Sequence, residues 1–484
     1  MSALFAKEKG HGGLDCIRLL HAKSASTAVV YLHGAHVTSF VVDGRETLFV
    51  SDRAVYDGAK AIRGGIPVCW PQFGPFGPLG QHGFARNHAF TLLGVEETEL
   101  GETAATFRLA ASDATRAVWD FDFTLDYTVT LDARALTVTL KASCPDGAAA
   151  FDFTGAVHTY LALPARSTRL ANLRGVTYMD QLQERKEIVE ANDEVDFTQE
   201  TDRVYLKVPG TIVARAADVP EIVIEPFHMP DAVVWNPWVA KAKAMGDFGD
   251  DEFENMVCIE SAWVGERQRV APGSAVQGSQ TIHVLQPAYT GEHAHLSKMD
   301  VTAELATAVD GLTLKPRWFD YVNDESPRAA IDLINRGYDV EDWFKTKPRV
   351  DEVLFRNVGT RPDCGMLVFE DARSGDLVAT LQLEVDPEAE RTFFGMFTID
   401  KKYQGAGLGT AIINRAKALA KQAGSKTLAM CVLNVRTELI PFYLKRGFVE
   451  TKQTPFSDIA RCRRDVELIF HHMQVPVDDA SGSQ

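Results

Sequence analysis

A chain of 484 residues exceeds one ordinary hydrophobic core, and this length predicts two or three domains. Its 66 acidic and 50 basic side chains give a formal net charge of −16, which excludes a general electrostatic attraction to nucleic acid or to an anionic membrane. An anionic small substrate would therefore need a local basic pocket.

Cysteine usage and apolar runs bear on the compartment. None of the seven cysteines falls in CxxC spacing, which predicts reduced thiols and no zinc site. The start of the sequence has no apolar stretch of signal-peptide length, and no run approaches the ~18 apolar residues of a membrane span. We therefore expect a cytoplasmic protein that works without a membrane or nucleic-acid partner.

Short alternating runs dominate the sequence up to about residue 290. They are rich in Val, Thr, Phe and Tyr and are separated by Gly, Pro, Asp and Asn. In chain order they are STAVVYLHGAHVTSFVVDG, AATFRLAAS, FDFTLDYTVTLDARALTVTLKAS, DRVYLKVPGTIVAR, EIVIEPF and QTIHVLQP. This pattern predicts an all-β sandwich or barrel over residues 1–290.

One loop-rich segment of this half, RGGIPVCWPQFGPFGPLGQHGFARNHAF, begins at Arg63 and concentrates candidate binding residues. Taken singly, each polar side chain is explained as well by solvation or packing, and we assign His88 a structural role. Arg63 and Arg86 together predict a clamp for an oxyanion, because a planar guanidinium matches phosphate. The glycines let backbone N–H groups approach an anion, and Trp70 and Phe84 suit the apolar face of a sugar ring.

Three polar side chains in later strand-like runs add acid/base chemistry. His158 lies in DFTGAVHTYLAL, Asp202 comes just before a strand, and Glu260 lies within the apolar strand MVCIE. A buried carboxylate is rare unless it is paired or functional. Desolvation would raise the pKa of Glu260 towards values that suit a general base.

These segments together resemble a known family. The glucose-6-phosphate 1-epimerases, which are hexose-6-phosphate mutarotases of the galactose-mutarotase superfamily, have ordered motifs similar to RGGIPVCWPQFGPFG, QHGFARN, HTYL, TDRVY and VVWNPWVAKAKAMGDFGDDEFENMVCIE. The resemblance covers roughly residues 10–287. It implies a galactose-mutarotase-like β-sandwich that interconverts the α and β anomers of glucose 6-phosphate.

The resemblance also implies the role of each acid/base residue. Glu260 would take the proton of the C1 hydroxyl, His158 would protonate the ring oxygen, and His82 would bind near that oxygen. Asp202 would hold sugar hydroxyls, and neither a metal nor a cofactor is implied. A non-catalytic sugar-phosphate-binding module remains the alternative, although a binding protein needs no acid and base.

A basic set would hold the 6-phosphate, and the resemblance assigns this role to Arg63, Arg86 and Gln81. These residues would supply the local basic pocket that an acidic chain needs for an anionic substrate. Trp238 and Asp247 lie in a matching motif, and we expect both to be structural.

The pattern changes at 291–302, which we assign to a linker before an α/β domain at 303–475 and a polar tail at 476–484. The predicted elements of this domain, in chain order, are a helix in SPRAAIDLINRGYDVEDWF, strands in EVLFRN, GMLVFEDARSGDLVATLQLEV and TFFGMFTID, a helix in GLGTAIINRAKALAKQAG, and a strand in KTLAMCVL. Within the second strand segment, RSGD predicts a turn between antiparallel strands.

A Gly-rich turn connects the predicted strand TFFGMFTID to the long helix that follows it. The connection lies in FTIDKKYQGAGLGTAIINRA. Backbone N–H groups at a helix N-terminus can hold an anion, and glycines remove side chains that would block a pyrophosphate. The segment lacks the Gly-Lys-Ser/Thr of a Walker A loop and the glycine order of a Rossmann fingerprint. On its own, it is explained equally well as a plain strand–helix connection.

With its surroundings, this turn resembles that of the GNAT acyltransferases over about residues 303–470. The matching segments are QGAGLG and LAMCVLNVRTELIPFYLKRGFVE. The resemblance implies that acetyl-CoA binds to the turn and beside the preceding strand, with Tyr443 protonating the leaving thiolate. The implied cofactor-binding residues are Phe397, Ile399, Gln404, Gly405, Ala406, Gly407, Leu408, Gly409, Thr410 and Asn434.

The sequence leaves the second activity partly open. An unidentified amine would accept the acetyl group, and Glu384 is one candidate for the general base. The alternative is a non-catalytic acetyl-CoA-binding domain that regulates the first half. We therefore predict a bifunctional enzyme that uses a hexose 6-phosphate and acetyl-CoA.

Overall fold

The computed structural model describes most of the chain; the described residues are 4–98, 101–286, 296, 299–306, 312–321, 327–341, 349–361, 363–405, 407–455 and 468–478. The chain divides into two compact units, Met1–Leu285 and Gln286–Gln484. The predicted linker at 291–302 lies largely outside the described residues. Within the described ranges, no helix has both the length and the apolar character that a membrane crossing requires.

The first unit is built almost entirely from strands. In chain order they are β1 (Phe5–Lys9), β2 (Asp15–Leu20), β3 (Thr27–Tyr31), β4 (His36–Val42), β5 (Arg45–Glu46), β6 (Val68–Cys69), β7 (Thr91–Glu97), β8 (Thr103–Ala110), β9 (Thr124–Leu131), β10 (Ala135–Ser143), β11 (Phe151–Val157), β12 (Tyr160–Leu161), β13 (Arg169–Ala171), β14 (Thr177–Asp180), β15 (Lys186–Val189), β16 (Glu194–Asp196), β17 (Thr201–Tyr205), β18 (Ile212–Arg215), β19 (Ile222–Phe227), β20 (Asp231–Asn236), β21 (Val257–Val270) and β22 (Ala275–Val284). Two short helices accompany them, α1 (Asp113–Arg116) and α2 (Trp238–Ala244).

These strands form three antiparallel sheets. One contains β1 to β5 in chain order, and a second has the order β16-β13-β18-β19-β22-β10-β9-β8-β7. The third has the order β15-β14-β17-β20-β21-β11-β6, with β12 also paired to β21. Asp202 is the second residue of β17, so the expectation that it precedes the strand was wrong by two residues.

Alternating apolar residues give the first unit its core. In β9, Leu125, Tyr127 and Val129 are fully buried while the residues between them are partly exposed, as expected for a strand with one face on a core. One continuous apolar cluster includes residues from all three sheets. The predicted all-β sandwich is therefore confirmed.

Two aromatic side chains of the loop-rich segment are also part of this core. Trp70 is fully buried, with its ring 4.7 Å from that of Phe123, and Phe84 packs edge-on against Trp70. The interpretation of Trp70 and Phe84 as sugar-facing aromatics was wrong, because burial against other apolar rings removes both from the surface.

The second unit is an α/β sheet with helices on both faces. Its strands are β23 (Leu305–Ala306), β24 (Thr313–Trp318), β25 (Cys364–Asp371), β26 (Leu377–Asp386), β27 (Arg391–Ile399), β28 (Thr427–Leu433), β29 (Val449–Pro455) and β30 (Ile469–Pro476). Its helices are α3 (Arg328–Gly337), α4 (Glu352–Val358), α5 (Leu408–Gln422) and α6 (Leu439–Leu444). Leu367 of β25 packs in the cluster that contains α5, whereas Val368 packs in the cluster that contains α3 and α4.

One predicted element of this unit was wrong. EVLFRN was expected to be a strand, and it forms most of α4 instead. Asp351 caps this helix by accepting a hydrogen bond from the backbone N–H of Leu354, and Arg356 donates to Glu352 one turn earlier. A run this short does not show by its apolar residues whether it forms a strand or a buried helix. The N-terminal cap and the (i, i+4) ion pair are the features that favour the helix.

The strands β27 and β28 separate along their length. They are the one parallel pair in the sheet order β23-β24-β25-β26-β27-β28-β30-β29 described here, and they pair over only three positions, ending at Phe393 and Ala429. Beyond that point β27 has an irregular register with β26, and Met396 has a positive φ of 44°. The divergence leaves a wedge between the two strands on the side where α5 begins.

Candidate active sites

A cavity of about 470 Å³ in the first unit brings the predicted residues together. All seven line it: Arg63, Gln81, His82, Arg86, His158, Asp202 and Glu260. Side chains that the sequence interpretation missed complete the wall, including Phe73, Phe76, Tyr160, Gln181, Trp235 and Lys241. The aromatic members of this second set provide the apolar surface that had been expected from Trp70 and Phe84.

Glu260 and His158 face each other at the wall of this cavity. Glu260 lies in β21 opposite Val233 of β20, and His158 lies in the two-residue connection between β11 and β12. Nδ1 of His158 is 3.2 Å from Oε1 of Glu260. Neither that Nδ1 nor Oε2 of Glu260 has a hydrogen-bond partner among the described residues. Unsatisfied polar groups in a protein interior are costly, and they are found where a substrate will use them.

Burial sets the protonation of this pair. It raises the pKa of Glu260 well above the ordinary carboxyl value, and the nearby Asp202 raises it further while Arg86 opposes the shift. Burial also lowers the pKa of His158 well below its ordinary value, and His82 and Arg86 act in the same direction. Burial therefore favours the neutral form of both groups, in which the pair holds one proton, on Glu260. Moving that single proton to His158 gives a carboxylate and an imidazolium.

The loop-rich segment holds His82 in a defined orientation. His82 has a positive φ of 65°, and its Nδ1 accepts a hydrogen bond from the backbone N–H of Gly74 at 3.2 Å. Burial, with the charges of Arg86 and Arg63, lowers the pKa of His82 to about 3. A neutral imidazole whose Nδ1 accepts carries its hydrogen on Nε2. His82 can therefore donate a hydrogen bond to a substrate oxygen near His158, whose ring centre is 5.6 Å away.

Asp202 lies in β17 beside a lysine that the sequence interpretation did not single out. Its Oδ2 is 3.8 Å from Nζ of Lys241, which also contacts Glu200 at 3.0 Å. Burial raises the pKa of Asp202 to about 6, although Lys241 opposes the shift. Lys241 belongs to α2 and to the quoted motif VVWNPWVAKAKAMGDFG, so motif membership was the signal that could have identified it.

The two predicted arginines differ in how firmly they are held. Arg63 donates from Nε and Nη2 to the carboxylate of Asp247, at 3.3 and 3.2 Å, and from Nη1 to the hydroxyl of Tyr160. Asp247 thus has a structural contact, which orients Arg63 towards the cavity. Arg86 donates from Nη2 to the backbone carbonyl of Gln81, and its buried Nε has no partner among the described residues.

A cysteine lies behind the acid/base pair. The ligand atoms of His158, Cys258 and Glu260 are all within 4.8 Å of one another, a spacing that could hold a metal ion. Burial raises the pKa of Cys258 well above its ordinary value, and the neighbouring Glu260 adds to that effect. The thiol is therefore protonated, which disfavours metal binding because a thiolate is the ligand form.

A second cavity, of about 570 Å³, lies in the second unit at the wedge between β27 and β28. Eight predicted residues line it: Phe397, Ile399, Gln404, Gly405, Gly407, Gly409, Thr410 and Tyr443. Leu408 points into the core instead, and Asn434 bonds to Ile469 of β30; neither is among the described residues that line the cavity. Ala406 lies outside the described residues.

The Gly-rich turn has the backbone geometry that a phosphate site needs. Gly405 and Gly407 have φ values of 81° and 82°, a region that side chains other than glycine rarely adopt, and α5 begins directly afterwards. The side chain of Gln404 donates to the carbonyl of Ile399 at 2.8 Å and ties the turn to β27. The backbone N–H groups at the start of α5 and the positive end of the helix dipole favour an anion here.

A buried acid also lines this cavity. Glu341 is 2% exposed and accepts a hydrogen bond from Arg436 at 3.2 Å, while its Oε2 has no partner among the described residues. Tyr338 lies beside it and donates to the carbonyl of Phe397. Glu384, the base candidate from the sequence, pairs with Arg361 and is not among the described residues that line the cavity.

A β-sandwich with a histidine–glutamate pair in a cavity of sugar size defines a protein of the mutarotase class. The chain belongs to the aldose 1-epimerase family, whose model matches residues 15–283. A second model, that of the acetyltransferase (GNAT) family, matches residues 330–448. The chain therefore joins an aldose 1-epimerase domain to a C-terminal GNAT domain.

Individual relatives match the first unit. A Cenchrus ciliaris protein named "Putative glucose-6-phosphate 1-epimerase" is 36% identical over 293 residues, which covers 58% of this chain and 88% of that protein. An Escherichia coli K12 protein of the same name is 34% identical over 257 residues, covering 52% and 85%. The crystal structure of a Salmonella typhimurium "putative mutarotase" is 30% identical with a TM-score of 0.54, covering 58% of this chain and 94% of that one.

Proposed function

We propose that the first unit interconverts the α and β anomers of glucose 6-phosphate and of related hexose 6-phosphates. The observation that carries the proposal is a single cavity that combines the His158–Glu260 pair with two arginines. A sugar-binding module has no use for a buried acid and base 3.2 Å apart. The names of the relatives at 36% and 34% identity support the same substrate.

In this mechanism, the buried pair moves two protons on the sugar. Glu260, as the carboxylate, takes the proton of the C1 hydroxyl while His158, as the imidazolium, protonates the ring oxygen. The C1–O5 bond breaks, the open-chain aldehyde rotates about C1–C2, and the ring closes on its other face by the reverse transfers. His82 donates a hydrogen bond near the ring oxygen, and Asp202 accepts hydrogen bonds from sugar hydroxyls.

The direct test is exchange nuclear magnetic resonance on the full chain with glucose 6-phosphate. We expect cross-peaks between the C1 protons of the two anomers at a rate proportional to enzyme concentration. No acceleration over buffer at micromolar enzyme would overturn the proposal.

Asp202→Asn should make stability less sensitive to pH. A folded-state pKa of about 6, above the ordinary carboxyl value near 3.8, means that protonation of Asp202 stabilises the fold at low pH and that this contribution is lost as the pH rises to 6. The wild type should therefore lose about 2 kcal/mol relative to the asparagine variant between pH 4 and pH 7. Urea denaturation of both proteins across this range measures the difference.

Asp152→Asn provides the matched control for this experiment, because Asp152 is an exposed carboxylate that pairs with Arg269 away from the cavity. The pH dependence expected for Asp202→Asn should exceed that of this exposed control. A constant difference for Asp202→Asn would show that the cavity does not hold this carboxyl group in a raised-pKa state.

For the second unit, we propose acetyl transfer from acetyl-CoA to an amine. The observation that carries this proposal is the turn of positive-φ glycines. It immediately precedes α5 and lines the cavity at the wedge between β27 and β28. The turn suits the pyrophosphate, and the wedge suits the extended pantetheine arm. The test is a screen of amines with acetyl-CoA and detection of free thiol. Binding without turnover on any amine would instead favour a regulatory acetyl-CoA-binding domain.

Gly407→Ala should weaken acetyl-CoA binding by about tenfold or more, since a left-handed backbone costs a non-glycine residue about 1–2 kcal/mol and the turn would relax away from the pyrophosphate. Gly375→Ala is the control, because Gly375 has a φ of 76° in the β25–β26 turn and, like Gly407, has open space where a Cβ would lie. Titration calorimetry with acetyl-CoA should distinguish the two. Equal affinities would remove the turn from the binding site.

A further inference from the structure

Four side chains that line the second cavity form a cluster centred on Tyr338. The guanidinium of Arg349 lies over the ring of Tyr338, 5.1 Å from its centre, and that of Arg436 lies 5.7 Å from the same centre. Arg436 also donates from Nη1 to Oε1 of Glu341 at 3.2 Å. The roles proposed above for the Gly-rich turn and for Tyr443 use none of these four residues.

This Tyr338 cluster lies on the face of the sheet that α3 covers. Tyr338 directly follows α3 and packs, like Met396 of β27, against the apolar cluster that contains α3. Phe397, the next residue of β27, packs against the apolar cluster that contains α5. The Gly-rich turn, which suits the pyrophosphate of acetyl-CoA, leads into α5. The α3 face is therefore the part of the cavity that remains for the acceptor amine.

Glu341 offers a carboxylate oxygen that the protein leaves without a donor. The residue is 2% exposed, its Oε1 accepts from Arg436, and its Oε2 has no hydrogen-bond partner among the described residues. A buried carboxylate oxygen without a partner is costly, and a ligand that donates a hydrogen bond to it removes that cost. The amino group of an acetyl acceptor is such a donor.

Arg349 is a cation in this cavity that has no anionic partner. Of the four cations among the described lining residues, three bond to protein groups: Lys401 to Asp339, Arg436 to Glu341 and Glu438, and Arg446 to Thr410 and the carbonyl of Phe442. Arg349 stacks on Tyr338 and makes no hydrogen bond or ion pair with a described residue. Stacking on a ring leaves the N–H groups at the edge of the guanidinium available to a carboxylate or a phosphate.

The two available groups are close enough for one small ligand to reach both. Burial raises the pKa of Tyr338, Arg349 opposes this shift, and Glu341 adds to it, so both charges act on the same hydroxyl group. A ligand that satisfies both needs a hydrogen-bond donor for Glu341 and a negative charge for Arg349.

We propose that the acetyl acceptor is a small primary amine that also carries an anionic group, a carboxylate or a phosphate. Glu341 binds the amine, and Arg349 binds the anion. A polyamine is disfavoured, because it would bring a second positive charge towards Arg349. This inference rests on the proposed acetyl transfer and names the class of substrate for that site.

The test compares amines with and without the anionic group as acceptors for the full chain, with release of free thiol from acetyl-CoA as the readout. Ethanolamine phosphate with ethanolamine, and glucosamine 6-phosphate with glucosamine, test a phosphate; β-alanine with its amide tests a carboxylate. We expect kcat/KM to be about 10-fold higher or more for the anionic member of at least one pair. The pair that shows this preference identifies the anion.

Arg349→Ala should raise KM for the preferred anionic amine by about 10- to 150-fold and leave KM for its partner without the anion unchanged. Arg373→Ala is the matched control, because Arg373 is an exposed arginine of the β25–β26 turn that is not among the described residues lining the cavity. It should change neither KM. Glu341→Gln should raise KM for both members of the pair, since both carry the amine.

The outcomes separate this inference from the function on which it rests. If amines are acetylated without preference for the anionic members, the anion site is wrong and the acetyltransferase proposal stands. The same conclusion follows if Arg349→Ala raises KM equally for both members of a pair. If acetyl-CoA binds and no amine of either kind is acetylated, the acetyl-transfer proposal is wrong, and this inference is wrong with it.

Discussion

Glu260→Gln is expected to slow the exchange of glucose 6-phosphate anomers by about 100- to 10,000-fold, the range over which a general base contributes. Glutamine keeps the size and most of the polarity of the side chain but cannot take the proton of the C1 hydroxyl. Because Glu260 is 1% exposed and its burial disfavours the charged form, the neutral amide should not destabilise the fold. Exchange rates from nuclear magnetic resonance, with denaturation midpoints alongside, measure both effects.

The chain supplies a matched control for this experiment. Glu225 of β19 also contacts a histidine, with its Oε2 3.0 Å from Nε2 of His283, but it does not line the described cavity. Glu225→Gln should leave the exchange rate unchanged. A Glu260→Gln variant that folds and retains the wild-type rate would refute the assignment of Glu260 as the base.

The second large effect is expected from Arg86→Ala, which should raise KM for glucose 6-phosphate far more than KM for glucose. A hydrogen bond to a charged group contributes about 1.5–3 kcal/mol, which corresponds to roughly 10- to 150-fold in affinity. Arg86 tests the phosphate role better than Arg63, since removal of Arg63 would also leave Asp247 without its partner. Initial rates with the two sugars at several concentrations give the comparison.

Arg45→Ala is the control for this substitution. Arg45 also donates a single guanidinium hydrogen bond to a backbone carbonyl, that of Asp218, but it lies in β5 away from the described cavity. Its loss should change neither KM. An equal increase for both sugars in Arg86→Ala would mean that Arg86 shapes the cavity without binding the phosphate.

A secondary-structure element was predictable where a local sequence pattern specifies it. Residues 124–131 alternate apolar and polar side chains, and they form β9 with one buried face. The helix expected to begin near Leu408 begins there, because positive-φ glycines precede an amphipathic run. EVLFRN was misassigned because its apolar residues suit either a strand or a helix, and only its contacts decide.

The site was predictable only in part. Spacing along the chain does not show whether His158 and Glu260 lie close together, because β11 and β21 become neighbours only when the sheet forms. The prediction that the two residues act together came from the resemblance to mutarotases. The same local reasoning placed Trp70 at the sugar because an aromatic in a loop-rich segment looks exposed. Lys241 was missed because a lysine is not informative without its neighbour, Asp202.

The most direct measurement of the mutarotase assignment is anomer exchange by the wild-type full chain, with glucose 6-phosphate and glucose compared side by side at equal enzyme concentration. The cavity that combines Glu260, His158 and the two arginines predicts fast exchange of the phosphorylated sugar and much slower exchange of glucose at concentrations below KM. Exchange of glucose at the same rate or faster would contradict the account, as would the absence of catalysed exchange with either sugar.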